Sequence, residues 1–184
     1  MSLRMIRAAA QVEHDDDLHL VRLLLLMKQV EGDKRRPIDG IMKLAKLDFL
    51  LRYPNCLERA LDDIGKKSEQ AQVQEYERHS VETKMMRFRY GPWDKRYRRW
   101  IGLLVARDLA VTHLKGKTVF VSLTDRGMSV ASGLEQIQDF GDYVNRSRLI
   151  AKSFGRENGT WMKKFIYRVF PEILDMKWGK DIEL

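Results

Sequence analysis

The residues of this chain best suited to chemistry are cations, and they are concentrated in one segment. Between Lys84 and Arg99 there are seven Lys or Arg residues and a single acid, Asp94. A domain does not need that charge density to fold, so the segment indicates a polyanionic partner. Arginine can read guanine with paired hydrogen bonds, and flanking lysines neutralise phosphates. We therefore expect DNA or an acidic protein surface to be bound by Arg87, Arg89, Lys95, Arg96, Arg98, Arg99, Lys115 and Lys117.

Aromatic residues are interleaved with these cations at Phe88, Tyr90, Trp93 and Trp100. Proteins that bind single strands combine cations with rings in this way, because bases stack on the rings. Rings near the start of a helix more often pack against the core. We expect core packing here and keep base stacking as the alternative.

A second set of residues has the side-chain types of a metal site: His14, Asp15, Asp16, Asp17 and His19. Consecutive carboxylates point in different directions, which does not suit a common ligand sphere. Acids are also favoured at the positive N-terminal end of a helix. We therefore interpret the acidic run as a helix start and predict no metal.

No pattern typical of an enzyme is present in the sequence. His79 and His113 have no nucleophile or carboxylate at useful spacing, and the single cysteine, Cys56, is expected to be a small buried residue. No Gly-rich turn precedes a Lys–Ser or Lys–Thr pair, so a phosphate loop is absent. We predict a protein without catalytic residues or cofactor.

Composition limits the class of protein. The chain has 184 residues, a net charge of +8, 44% hydrophobic residues and 33% charged residues, which is typical of a folded domain. The single cysteine favours a reducing compartment. The longest apolar run, Leu23 to Met27, is far shorter than the roughly 20 residues of a membrane span, and the N-terminus does not resemble a signal peptide. We predict a cytoplasmic protein that does not contact membranes.

Periodicity predicts the elements that must position the cations. Helices are expected at Leu18 to Glu31, Ile38 to Tyr53 and Asn55 to Ile64, followed by a short strand over Thr83 to Arg89 and a turn at Gly91–Pro92. Asp94 is expected to cap a helix that runs to about Asp108. A hairpin of Ala110 to Leu114 and Thr118 to Leu123 comes next, and Thr124 or Asp125 caps another helix.

This order is typical of the recognition helix and wing of a winged helix-turn-helix domain. We predict a mostly α fold with a small β-hairpin wing at residues 18–136, after an N-terminal arm at 1–17. Residues 65–82, rich in Gln, Glu and Ser, are expected to form an exposed insertion or linker. In the recognition helix, four apolar residues at helical spacing should face the core: Tyr97, Trp100, Ile101 and Leu104.

Residues 137–184 are predicted to form a helical extension. Its apolar stripe consists of Trp161, Phe165, Ile166, Val169 and Phe170. A small winged-helix core cannot easily cover this stripe as well as the long N-terminal helix. We therefore expect it to serve dimerisation or partner docking, and we predict a homodimer.

Two phrases also suggest a family. LAKLDFLLRYP (Leu44 to Pro54) and RYGPWDKRYRRWIGLLVARDLA (Arg89 to Ala110), closed by VSLTDRGMSVASGL, resemble the middle component of bacterial ABC-three-component systems. The resemblance covers about residues 18–134. It implies a noncatalytic winged-helix adaptor that works beside an SMC-like or Rad50-like ATPase and an effector protein against phages or plasmids. The family offers no catalytic residues to carry over.

Two other functions stay open at this point. The same fold and charge are expected of a dimeric transcriptional regulator that binds an operator in duplex DNA. The YGP phrase followed by a helix is also similar to Panacea-type antitoxin domains, which implies an antitoxin that acts through protein contacts.

Overall fold

The computed structural model describes residues 16–78 and 84–184. Most of the predicted N-terminal arm, with His14 and Asp15, lies outside the described residues, as do His79 and the predicted start of a strand at Thr83. In chain order the helices are α1 (Asp16–Glu31), α2 (Ile41–Arg52), α3 (Pro54–Asp63), α4 (Tyr97–Ala106), α5 (Asp125–Leu134), α6 (Gly141–Phe154), α7 (Gly159–Val169) and α8 (Glu172–Asp175). The strands are β1 (Ile38–Asp39), β2 (Met86–Phe88), β3 (Gly91–Trp93), β4 (Ala110–Lys115) and β5 (Thr118–Leu123).

The fold is mostly helical with a small antiparallel sheet, as predicted. The sheet has the strand order β1-β5-β4, so β5 lies in the middle. The hairpin register runs from Ala110 opposite Leu123 to Lys115 opposite Thr118. None of the described helices is both long enough and apolar enough to cross a membrane.

Strand β1 was not predicted, because its two residues were assigned to the helix that follows. Ile38 is buried and pairs with Val121 of β5. Gly40, at φ 112°, turns the chain from the strand into α2, a conformation that glycine adopts without strain.

The segment before α4 also differs from the prediction. Gly91 and Pro92 belong to strand β3, opposite Phe88 and Arg87 of β2, so the turn falls at Arg89–Tyr90. Helix α4 begins at Tyr97 and not at Asp94. The Asp94 carboxylate is buried and engaged by arginines, and it also accepts the Arg96 backbone N–H just before the helix.

The C-terminal helices belong to the same core as the rest of the chain. Helix α6 packs along α1, and α7 packs against α2. Phe165, Ile166 and Phe170 are buried within the chain, each burial stabilising the fold by roughly 1.5–3 kcal/mol. The expectation that this apolar stripe is open to a partner or a second copy is therefore wrong.

Most of the described residues of the predicted insertion, 65–78, are exposed, but the segment is docked on the rest of the chain. Two turns of 3-10 helix, Ser68–Ala71 and Glu75–Arg78, lie in it, and Ala71 is fully buried. Arg146 of α6 donates from Nε to the Ala71 carbonyl at 2.9 Å, and from Nη1 to Glu77 Oε1 at 2.7 Å. One buried guanidinium thus holds a stretch whose polar composition predicted an exposed linker.

Candidate nucleic-acid interface

A group of exposed cations lies just before α4, on its outward side and at the tip of the β4–β5 hairpin. We call Lys95, Arg98, Arg99, Lys115 and Lys117 the cationic face, and all five are exposed. On the opposite side of α4, the four residues predicted to face the core are buried: Tyr97, Trp100, Ile101 and Leu104. The sequence prediction for the two sides of this helix is confirmed.

The hairpin is built to project its tip. Gly116 adopts φ 61°, a left-handed turn conformation that favours glycine, and Lys115 pairs with Thr118 across the turn. Helix α4 packs against β4, so the helix and the hairpin form one continuous unit. Lys115 and Lys117 extend the positive charge of α4 to the hairpin tip.

Four of the five cations of the cationic face are available to a partner. Arg99 Nη2 lies 2.6 Å from Asp16 Oδ2, so part of its charge is neutralised, although its side chain is 69% exposed. Within residues 16–78 and 84–184, Lys95, Arg98, Lys115 and Lys117 form no ion pair. These four side chains would meet a polyanion without first breaking a contact.

Arg87 and Arg96, which we predicted as contact residues, are engaged by other groups of the protein. Arg87 is 7% exposed and donates from Nε to the Ile173 carbonyl at 3.0 Å. Arg96 binds Asp94 through Nε and Nη2 at 3.0 and 2.8 Å, and its guanidinium lies over the Trp100 ring. Both contribute to the fold, and the Arg96 side chain is still 27% exposed.

Arg89, the remaining predicted contact residue, lies in the β2–β3 turn. Its guanidinium is exposed and lies 5.4 Å from the centre of the Tyr90 ring. Phe88 and Tyr90 are each 40% exposed, whereas Trp100 is fully buried. The expected core packing therefore holds for Trp100 but not for Phe88 and Tyr90.

A buried ionic network lies beneath α4, and we did not predict it from the sequence. The Asp48 carboxylate of α2 accepts hydrogen bonds from Arg22 Nε at 2.7 Å and from Arg52 Nε at 2.9 Å. It also accepts one from the Tyr97 hydroxyl. Burial alone would raise the pKa of Asp48, but the two guanidiniums and the hydrogen bonds outweigh it and hold the pKa below its usual value.

Asp94 continues the network to the chain that enters α4. Its Oδ2 accepts from Arg52 Nη1 at 3.0 Å, and its Oδ1 accepts from the Arg96 backbone N–H at 2.9 Å. Burial opposes ionisation here too, but Arg96 and Arg52 together keep the pKa of Asp94 well below its usual value. The network thus joins three arginines to two carboxylates and fixes α4 relative to α2, while Arg52 Nη2 has no hydrogen-bond partner within the described residues.

The acidic start of α1 is also tied to α4. Asp16 Oδ1 accepts a hydrogen bond from Trp100 Nε1 at 2.9 Å, and Asp17 Oδ1 lies 2.8 Å from Arg107 Nη1. The ring of His19 packs on the Trp100 ring with centres 4.3 Å apart. These three residues have protein partners, and the part of the chain that the structure describes contains no group of three or more His, Cys, Asp or Glu arranged to hold a metal.

The remaining candidates for chemistry are inert in their surroundings. Cys56 is buried, and burial raises the pKa of its thiol to about 12, so it stays protonated. His113 stacks on Phe120 of the neighbouring strand, with ring centres 5.0 Å apart. Neither residue has the arrangement of an activated nucleophile or base.

The chain matches no protein-family model, and no curated protein or solved structure is significantly similar to it.

Proposed function

We propose that residues 16–134 form a winged-helix domain that binds duplex DNA through the cationic face. The order α1, β1, α2, α4, β4, β5 and the strand order β1-β5-β4 support the winged-helix assignment. In this assignment α4 is the recognition helix and the β4–β5 hairpin is the wing. Helix α3, the 3-10 turns and the β2–β3 hairpin form an insertion between the second helix and the recognition helix.

The observation that carries the DNA proposal is that Lys95 just before α4, Arg98 on α4, and Lys115 and Lys117 on the wing are exposed and form no ion pair within the described residues. A recognition helix lies in the major groove, where Lys95 and Arg98 would meet base edges or phosphates. Lys115 and Lys117 at the wing tip would neutralise phosphates of the flanking backbone. Four such contacts should give a logarithmic salt slope of roughly −3 to −4.

Binding to a protein is the second candidate, because apolar side chains accompany the cations. Leu114 and Val111 on β4 are 70% and 47% exposed, and Val105 at the end of α4 is 40% exposed. Exposed apolar groups beside charges are typical of protein interfaces. This surface would suit the noncatalytic adaptor that the family resemblance implies, in contact with an SMC-like or Rad50-like ATPase or an effector. It would equally suit an antitoxin.

The regulator alternative requires a homodimer, which we keep as a proposal. Dimeric regulators place two recognition helices about one helical turn of DNA apart. The buried stripe on α7 no longer supplies a surface for it. Light scattering on the purified chain, alone and with duplex, would give the stoichiometry that separates a monomeric adaptor from a dimeric regulator.

The test is fluorescence anisotropy with a labelled duplex of random sequence. Arg98→Ala combined with Lys117→Ala should weaken binding about tenfold or more, because two phosphate contacts are lost. The matched control is Arg59→Ala, which removes an exposed arginine paired with Glu172 and remote from α4 in sequence. If both variants bind duplex like the unaltered protein, the DNA proposal is wrong and the protein-partner candidate takes its place.

A further inference from the structure

A second basic site lies at the opposite edge of the sheet from the wing. A cleft of about 780 Å³ is lined by residues of the segment from Gln29 to Asp39 and by the end of α6 with the residues just after it. Its volume falls in the range of small-molecule sites. Strand β1 lines the cleft, whereas β4 of the wing lies at the other edge of the sheet. The cleft is therefore separate from the cationic face.

More cations line the cleft than form ion pairs within the described residues. Lys34, Arg36, Lys152 and Arg156 line it, and none of the four side chains forms an ion pair or hydrogen bond within the described parts of the chain. Two further cations are engaged: Lys43 Nζ lies 2.7 Å from Asp39 Oδ1, and Arg148 Nη2 lies 3.4 Å from Glu135 Oε1. Of the lining acids, Asp39 pairs with Lys43 and Glu31 is buried, so Asp33 is the acid that remains to oppose these four cations.

A buried carboxyl group lies beside the cleft. Glu31 lines the cleft and is only 3% exposed. Its Oε1 accepts a hydrogen bond from the Leu123 backbone N–H at 2.7 Å, but its Oε2 has no partner within the described residues. Burial raises the pKa of Glu31 to about 7, although the Leu123 hydrogen bond and the nearby Arg35 oppose the rise.

We propose that this cleft binds a phosphate-bearing small molecule of nucleotide size. Several free cations converging in a concave site match a ligand with more than one phosphate charge. Val30, Pro37 and Ile38 line the cleft beside them and offer apolar contact for the organic part of such a ligand.

The test is titration calorimetry at low salt with three probes: ATP, tripolyphosphate and adenosine. ATP should bind with saturation, tripolyphosphate should bind more weakly or equally, and adenosine should not bind detectably. Adenosine binding as tight as that of ATP would overturn the proposal, because phosphate would then play no part. So would the absence of saturable binding by both phosphate probes.

Charge reversal localises the binding. Lys152→Glu with Arg156→Glu should weaken ATP binding about tenfold or more, because two attractive contacts become repulsive. Lys115→Glu with Lys117→Glu makes the same charge change on the wing and should leave ATP binding within about twofold. Equal weakening by both pairs would mean nonspecific attraction and would overturn the proposal. If the first pair does not fold, Arg36→Glu in the exposed turn before β1 replaces it.

The same variants distinguish this proposal from the function proposed above. The wing variant should lose duplex affinity and keep ATP, and the cleft variant should do the reverse. Loss of duplex affinity in the cleft variant with ATP binding intact would show that the cleft belongs to the nucleic-acid surface, and the small-molecule proposal would be wrong. A failure of duplex binding in the unaltered protein leaves the ATP result unaffected.

Discussion

Arg52 Nη1 at the end of α2 lies 3.0 Å from Asp94 Oδ2, three residues before α4. This pair joins the two phrases that carry the family resemblance, KLDFLLRYP and RYGPWD. Through Asp48, the same arginine is also connected to Arg22 of α1. The network therefore sets the position of α4, on whose outward side the cationic face lies.

Removal of the central carboxylate should destabilise the fold strongly. Asp48→Asn leaves Arg22 and Arg52 buried without their anion, at a cost of about 3–5 kcal/mol in the free energy of unfolding. Asp63→Asn is the control, because Asp63 pairs with the exposed Arg168, and exposed pairs contribute about 0–1 kcal/mol. Urea denaturation measures both, and equal effects would contradict the structural role of the network.

The same carboxylate predicts a pH dependence. Because the pKa of Asp48 is lowered in the folded state, its stabilisation is present above the unfolded pKa of about 4 and is lost as the pH falls through the folded value. The difference in unfolding free energy between the unaltered protein and Asp48→Asn should therefore shrink on acidification below about pH 4. A difference that stays constant would mean that Asp48 is not held as a charged group.

Arg96 and Arg98 lie two positions apart and should have different roles, Arg96 in stability and Arg98 in duplex binding. Arg96→Ala removes two hydrogen bonds to Asp94 and the contact with the Trp100 ring, so it should lower stability by about 1–3 kcal/mol and leave the duplex affinity of the folded protein unchanged. Arg98→Ala should lower duplex affinity and leave the melting temperature unchanged. Thermal melts and anisotropy on both variants check this, and the opposite assignment of effects would refute the site.

Two glycines in α5 should respond oppositely to alanine. A Cβ at Gly127 would lie 1.9 Å from the Leu109 carbonyl oxygen, so the backbone must move and stability should fall by about 1–3 kcal/mol or more. Gly133 has open space around it, and alanine there should stabilise the helix by up to about 1 kcal/mol. Calorimetric melting of both variants compares them; a harmless alanine at position 127 would mean that α5 does not pack against Leu109 as described.

Glu31 predicts a second pH dependence, of opposite sign to that of Asp48. Its pKa is raised from 4.5 to about 7 in the folded state, so stability falls as the pH rises from about 4.5 to about 7. Glu31→Gln should abolish this fall and be more stable than the unaltered protein by about 1–3 kcal/mol near pH 8, but not near pH 5. Glu69→Gln, in an exposed turn, is the control for the change in charge. Identical pH profiles for Glu31→Gln and the unaltered protein would contradict the raised pKa.

Elements with a regular pattern of apolar residues were predicted correctly from the sequence. The alternation and the Lys–Gly–Lys turn fixed the β4–β5 hairpin to within a residue, and helical spacing placed Trp100 and Leu104 on the core side of α4. Strand β1 was missed because a strand of two residues is too short to show an alternation of apolar and polar residues. It forms only because Val121 and Phe120 of the distant β5 supply its hydrogen-bonding partner.

The ionic network could not be predicted, because its members are far apart in sequence. Asp48 and Arg52 at i and i+4 among leucines were a signal for a buried pair on α2, but nothing local indicates Arg22 or Tyr97 as partners. Arg87 was predicted to be a surface cation because we relied on its charge and not on its position in a short strand. The structure shows that it alternates inward, where backbone carbonyls accept its hydrogen bonds.

The salt dependence of duplex binding is the most direct test of contact between the cationic face and DNA. The logarithm of the binding constant should fall linearly with the logarithm of salt concentration, with a slope of roughly −3 to −4. Alanine at Arg98, Lys115 and Lys117 together should reduce the slope by about two to three, whereas Arg59→Ala should leave it unchanged. A triple variant with the slope of the unaltered protein would show that α4 and the wing do not contact the phosphates, and the proposed function would be wrong.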